Sequence, residues 1–286
     1  MLYAFDYIEE KAKQNIPVNT EDYIVDGLLH CGKCHTPKQC QVKIFDEIRT
    51  PHCLCQCEAE KDEKMREEMR LQEIERKRSI CFPEPEMKNW RFERDDGTGD
   101  QRAMLALKKY AENFDLMRKK QLGLLVYGDV GVGKTFGVAC VANALIDKGY
   151  SCYMTDFSRI INNLWNAQEK QEYIDSLNSY SLLVIDDLAT ERNTDYASEI
   201  VTSVINARCN SGKPIIITTN LTPKELSNPQ SSQNYNQNYK DDEIRRKKRV
   251  FSRLFKMTVP LHYTGSERRR KIMENNFSDV KNILGL

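Results

Sequence analysis

No stretch of this sequence approaches the roughly 18 consecutive apolar residues that a membrane-spanning helix requires. Its opening, MLYAFDYIEEKAKQ, carries acids where a secretory signal would place basic residues ahead of an apolar run. The expectation is a cytoplasmic chain with no membrane partner. An excess of one charge is also missing. Over 286 residues, 43 Lys+Arg against 42 Asp+Glu leave a formal net charge of +1. A basic coat for nucleic acid is thereby excluded, and any such contact must come from a local patch. No internal repeat is visible, and the one low-complexity piece is a polar loop, NPQSSQNYNQNYKDDE (228–243). With 40% hydrophobic and 30% charged residues the chain is wetter than an average enzyme, yet it has enough apolar surface to bury a core.

Cysteine is present in quantity and unevenly spread. Six of the ten cysteines lie between Cys31 and Cys57, with His30, His35 and His52 among them. In a reducing compartment such a cluster is better explained by metal ligation than by disulfides. Cys31-x-x-Cys34 and, 20 residues later, Cys55-x-Cys57 supply four thiolates in two close pairs. Paired knuckles of this kind suit the tetrahedral preference of Zn²⁺, although Cys40, Cys53 and the three histidines are also within reach. The segment is too short and polar for an apolar core, so metal binding would have to contribute its folding energy.

Three regions follow from composition. Residues 1–57 form the metal-binding module. Residues 58–89 begin with EAEKDEKMREEMRLQEIERKRS, where charges of both signs alternate and Glu60/Lys64 and Asp62/Arg66 sit at i,i+4 spacing, as on a solvated linking helix. Residues 90–286 start near a Pro- and Gly-containing boundary (81–100) and continue with an amphipathic helix whose Met104, Leu107, Tyr110, Ala111 and Phe114 share a face. Short apolar runs then alternate with helical stretches: 122–127, 151–156, 182–187, 214–220 and 256–261. This is the pattern of an α/β domain with a five-stranded parallel sheet flanked by helices.

Within that pattern, Gly128-Asp129-Val130-Gly131-Val132-Gly133-Lys134-Thr135 follows the first apolar run and opens a helix. This is the context in which GxxxxGK[ST] cradles phosphates: the backbone N–H groups and helix dipole face the anion, the lysine reaches the β- and γ-phosphates, and the threonine hydroxyl serves Mg²⁺. Leu182-Leu-Val-Ile-Asp186-Asp187 ends a buried strand in two acids. Asp186 suits Mg²⁺, and Asp187 suits the orientation or deprotonation of an attacking water. The next strand ends in Asn220, an amide able to bond both the γ-phosphate and that water.

Together these motifs resemble the bacterial DnaC/DnaI-type helicase loaders of the AAA+ superfamily, which are related to the IstB transposition ATPases. The resemblance covers roughly residues 90–286. CGKCHTPKQ and CLCQCE extend it to the zinc-bearing front end of such loaders, and it is the loader-like CxCE ending that selects Cys55 and Cys57 over Cys53. It implies the sheet order 5-1-4-3-2, ATP with Mg²⁺ and Zn²⁺ as cofactors, slow partner-stimulated ATP hydrolysis, and self-association through the AAA+ domain. The implied partners are a hexameric replicative helicase of the DnaB type and single-stranded DNA. Arg253, in KRVFSRLF, matches the arginine finger, with Arg249 nearby, and Arg268, in TGSERRR, matches the second sensor arginine. Most AAA+ ATPases carry Glu where Asp187 stands; the shorter acid is common in the loader group. The long crossover 157–181 corresponds to an extra helical element lining a DNA path, with Phe157, Arg159, Asn163 and Trp165 as candidates. Two other functions remain compatible with these motifs: an IstB-like transposition regulator and a nucleotide-gated adaptor without significant hydrolysis.

Overall fold

A segment with few apolar side chains to bury folds only around something polar, and the amino-terminal part of this chain does so. The computed structural model describes residues 19, 21–45, 47–167, 169–188, 195–228, 241–265, 267 and 280–281. It divides into two units, Met1–Glu73 and Ile74–Leu286. The first unit contains two antiparallel hairpins, β1 (Tyr23–Val25) with β2 (Leu28–His30) and β3 (Val42–Ile44) with β4 (Glu47–Arg49). Among its described residues only Cys31, Lys38 and Cys55 are buried. Lys38 Nζ lies 2.8 Å from Asp22 Oδ2 and 3.2 Å from Glu58 Oε1. The bond from Lys38 lowers the Asp22 carboxyl to about 2. Asp22 Oδ1 in turn accepts from Gly32 N at 3.0 Å, and Glu58 Oε2 from Cys55 N at 3.3 Å. One buried ammonium therefore ties together the two loops that carry the cysteine pairs.

Helix α1 (Gln56–Cys81) carries the boundary between the units. It is the charged helix expected from the sequence, with the Asp62–Arg66 pair formed at 2.8 Å. The segment 58–89, expected to act as a linker throughout, changes character within this helix. From Ile74 onward it belongs to the second unit, where Ile74, Cys81, Phe82 and Met87 are buried in the core.

In the second unit α2 (Gln101–Glu112) is capped by Asp100 Oδ1, which accepts from Ala103 N at 3.0 Å. It buries Met104, Leu107, Tyr110 and Ala111, as its periodicity predicts. The helix breaks at Asn113, so Phe114 begins a separate short helix, α3 (Phe114–Lys119). The chain then runs β5 (Gly123–Tyr127), α4 (Lys134–Asp147), β6 (Cys152–Asp156), α5 (Phe157–Asn166), α6 (Lys170–Ser179), β7 (Leu182–Leu188), α7 (Asp195–Ser211), β8 (Ile215–Thr219), α8 (Pro223–Ser227), α9 (Asp241–Met257) and β9 (Thr258–His262).

The sheet order is β6-β7-β8-β5-β9, every pair parallel. Numbered one to five in chain order and read from the β9 edge, this is the expected 5-1-4-3-2. Successive strand residues alternate between two cores. Leu124, Val126, Leu182, Val184 and Ile216 pack with α2 and α4. Leu125, Leu183, Ile185, Ile215 and Ile217 pack with α5 to α9. Burial of both faces explains why β5, β7 and β8 read as continuous apolar runs.

Arg208 of α7 is fully buried. Its guanidinium donates to Pro214 O at 2.6 Å, Tyr180 O at 3.0 Å and Ser181 O at 3.2 Å, just ahead of β8 and β7. Burial lowers its pKa to about 10. Replacing Arg208 by Met keeps apolar volume but abandons three carbonyls, so unfolding stability should fall by about 3 kcal/mol or more. Urea denaturation of the full chain measures this, and an unchanged midpoint would refute the structural role.

Candidate nucleotide site and cysteine cluster

The loop Gly128–Gly133 joins β5 to α4 in a shape that side chains would obstruct. A Cβ on Gly128 would lie 2.0 Å from Tyr263 O, and Gly133, the residue before α4, has φ 107°. Val132 is buried in the core, whereas Asp129 and Val130 are exposed. Lys134 is buried and donates from Nζ to Gly128 O at 2.8 Å, Asp129 O at 2.7 Å and Asn220 Oδ1 at 2.7 Å. Glu267 reaches the same loop: a Cβ on Gly131 would lie 2.7 Å from its Cγ. Arg268 itself lies outside the described residues.

The two acids at the end of β7 are presented by a distortion of the strand. On a regular strand Asp186 and Asp187 would point to opposite faces. The β7–β8 register shifts between Ile185 and Leu188, and Asp187 takes φ 57°. Both carboxylates consequently face the end of β8, and Asp186 also reaches the first turn of α4. Asp186 Oδ1 accepts from Thr218 Oγ1 at 2.5 Å and from Thr135 Oγ1 at 3.2 Å. Burial raises its pKa, against the pull of those two hydroxyls. Asp187 Oδ1 accepts from Asn220 Nδ2 at 3.1 Å. The structure thus brings Lys134, Thr135, Asp186, Asp187 and Asn220 into one hydrogen-bonded group. A cluster of one cation, helix N-terminal amides and oxygen donors fits a polyphosphate with a hard divalent ion.

Thr218 carries no sequence signature of its own, because ITT reads simply as the end of a strand. Its hydroxyl accepts from Asp187 N at 2.8 Å while donating to Asp186. The signal available was a polar residue near the end of an apolar strand. Trp90 and Phe136 also line the loop's cavity of about 370 Å³, and no sequence motif pointed to either.

Arg253 is exposed on α9 and donates from Nη1 to Asn206 Oδ1 on α7, while Val250, Phe251 and Leu254 anchor the helix; Arg249 is exposed as well. The crossover 157–181 forms two helices, in keeping with its length. Phe157 is buried and cannot offer its ring to a base, because its position at the start of α5 turns it into the core. Arg159 pairs with Asp156 at 3.1 Å, and Asn163 Nδ2 bonds Tyr173 Oη at 2.9 Å. Trp165 is 74% exposed, its edge against Tyr196 at 5.6 Å.

In the first unit Cys31, Cys34, Cys55 and Cys57 place their Sγ atoms within 4.8 Å of one another. Cys31–Cys57 and Cys55–Cys57 are 3.6 and 3.4 Å apart. Four thiolates at about 2.3 Å from a tetrahedral Zn²⁺ would be separated by about 3.8 Å, so the set could hold such an ion. Hydrogen bonding from the Thr36 hydroxyl lowers Cys34 to about 5, while burial raises Cys55. Cys40, Cys53, His30, His35 and His52 stand outside the cluster.

The pattern of the family described as IstB-like ATP binding protein matches residues 54–233. The replicative helicase loader DnaI of Bacillus subtilis is 30% identical over 167 residues, 57% of this chain and 51% of DnaI. The replicative helicase loader DnaC of Escherichia coli K12 is 22% identical over 134 residues, 45% of this chain and 54% of DnaC. The chain therefore spans about half the length of these relatives. A crystal structure of DnaI shares the fold with a TM-score of 0.54 at 23% identity, covering 68% of this chain and 99% of that one. No helix among the described residues is long and apolar enough to cross a membrane.

Freshly purified protein should contain about one zinc per chain. Replacing Cys31 and Cys34 together by Ser should abolish it, and Cys40→Ser should retain it. Elemental analysis distinguishes these outcomes, and less than about half a zinc in the unaltered chain would count against the site.

Proposed function

The chain belongs to the family of IstB-like ATP-binding proteins, and from that premise we propose that it is an AAA+ ATPase that loads a hexameric replicative helicase onto single-stranded DNA. The observation that carries this reading is the amide of Asn220, which bonds Lys134 at 2.7 Å and Asp187 at 3.1 Å. The lysine for a terminal phosphate and the acid for a water are thereby coupled through one side chain. Sequence identity to DnaI over more than half of this chain supports the choice of partner.

In this reading the loop Gly128–Gly133 and Lys134 hold the phosphates of ATP, and Thr135 and Asp186 hold Mg²⁺. The bound ion would neutralise charge on the β- and γ-phosphates. Asp187 orients the attacking water and accepts its proton, and Asn220 holds that carboxylate in place. Arg268 clamps the nucleotide within its own chain. Arg253 reaches the γ-phosphate held by a neighbouring subunit, a role supported by its exposure and by the lack of arginine among the described residues that line the cavity. Hydrolysis is slow until assembly supplies that arginine. The zinc-bearing amino-terminal module, residues 1–57, binds the helicase, and exposed Trp165 together with Arg159 and Asn163 contacts single-stranded DNA.

The family match favours a second reading, a transposition regulator acting with a transposase on duplex DNA. A pull-down from the native host read by mass spectrometry separates the two. Recovery of a replicative helicase supports loading, and recovery of a transposase overturns it.

Lys134→Ala should abolish tight ATP binding with the fold intact. Asp186→Asn should weaken Mg²⁺-dependent binding, whereas Asp187→Asn should bind ATP and stop turnover. Identical behaviour of the two Asp variants would refute their division of roles. Arg253→Ala should bind ATP but lose about 10³–10⁵ of the assembly-stimulated rate. Mixed with Lys134→Ala it should recover part of that rate, since interfaces form with an intact loop on one side and an intact finger on the other. A mixture that co-assembles on the helicase and stays inactive would exclude action in trans.

A further inference from the structure

Phosphate and metal chemistry in the nucleotide cavity draws on cations, amide N–H groups and oxygen donors. The side chains of Trp90 and Phe136 offer neither a cation nor an oxygen donor, yet both line the cavity. Phe136 directly follows Thr135 on the first turn of α4. The Trp90 ring lies 5.7 Å from it with the planes tilted by 49°, so the indole borders the turn that receives the phosphates.

The backbone that carries the indole is also held in place. Asn143, lower on α4 and fully buried, donates from Nδ2 to Met87 O and Trp90 O, both at 2.8 Å. Its Oδ1 accepts from Arg78 Nε at 3.2 Å. Arg91, next to Trp90, pairs with Asp147 at the end of the same helix, and Arg78 does so too. A buried amide is tolerated where its hydrogen bonds are filled. Here they are filled by the backbone of the segment that carries Trp90, which fastens that segment to the helix behind the phosphate loop.

What an indole does offer is a flat apolar face, the complement of a flat heteroaromatic ring. We propose that Trp90 is the face against which the base of the bound nucleoside triphosphate packs, with Phe136 beside it and Asn143 as the positioning residue. The proposal rests on the reading of the loop as a phosphate site. Stacking grows with shared ring area, so the site favours a purine over a pyrimidine.

The test uses the full chain and three probes, each with Mg²⁺: ATP, CTP and inorganic tripolyphosphate, which has phosphates and no base. Trp90→Ala should weaken ATP about tenfold, leave tripolyphosphate within about twofold, and narrow the gap between ATP and CTP. Trp90→Phe should restore most of the ATP affinity, because a smaller aromatic face remains. In a Trp165→Phe background Trp90 is the sole tryptophan of two, and its emission should respond to ATP far more than to tripolyphosphate. Equal losses for ATP and tripolyphosphate would reduce Trp90 to a support for the loop, and undiminished ATP affinity would put the base elsewhere; either overturns the proposal. If the unaltered chain binds neither ATP nor tripolyphosphate, the phosphate reading fails and this proposal falls with it. If tripolyphosphate binding is normal and is lost in Lys134→Ala, the phosphate reading stands whatever Trp90 does.

Discussion

A parallel sheet covered on both faces favours apolar side chains along its central strands, so polar function is displaced toward the strand ends. This constraint organises the second unit. Leu124 to Val126, Leu182 to Ile185 and Ile215 to Ile217 are all buried, which leaves the carboxyl ends of β5, β7 and β8 as the places where Gly128, Asp186, Asp187 and Asn220 can stand. The opposite edge obeys the same rule. There buried Arg208 satisfies the carbonyls of Tyr180, Ser181 and Pro214, where the chain enters β7 and β8.

At the carboxyl edge the regular strand is not sufficient, since alternation would turn one of two adjacent acids away from the loop. The left-handed backbone of Asp187 and the register shift after Ile185 bring both acids to bear. Such a residue costs on the order of 1 kcal/mol in backbone strain. Thr218 offsets part of it by accepting from Asp187 N and donating to Asp186. Local geometry is thus subordinated to a site in which Lys134, Asn220 and Asp187 touch in sequence.

The first unit solves a different problem. With Cys31, Lys38 and Cys55 as its buried residues among those described, it has no apolar core to drive folding. Four convergent sulfurs and the Asp22–Lys38–Glu58 ion triad take its place. A metal supplies favourable free energy without apolar area, and the triad holds the two cysteine loops in register.

Much of this was legible in the sequence because it depends on local pattern. The five strands were visible as apolar runs, the phosphate loop as glycines between a strand and a helix, and the face of α2 as a helical period. The four cysteines selected by spacing and by the loader-like ending are the four that converge. What local pattern could not show was which partners meet across the sheet. The bulge at Asp187, the hydroxyl of Thr218 and the burial of Phe157 all depend on neighbours distant in sequence. So does the change of allegiance at Ile74, where a helix uniformly charged to the eye begins to pack on a core. Trp90 is the sharpest case. Nothing in NWRFE marks it as a wall of the nucleotide cavity, because that role arises only when Asn143, 53 residues away, binds its backbone.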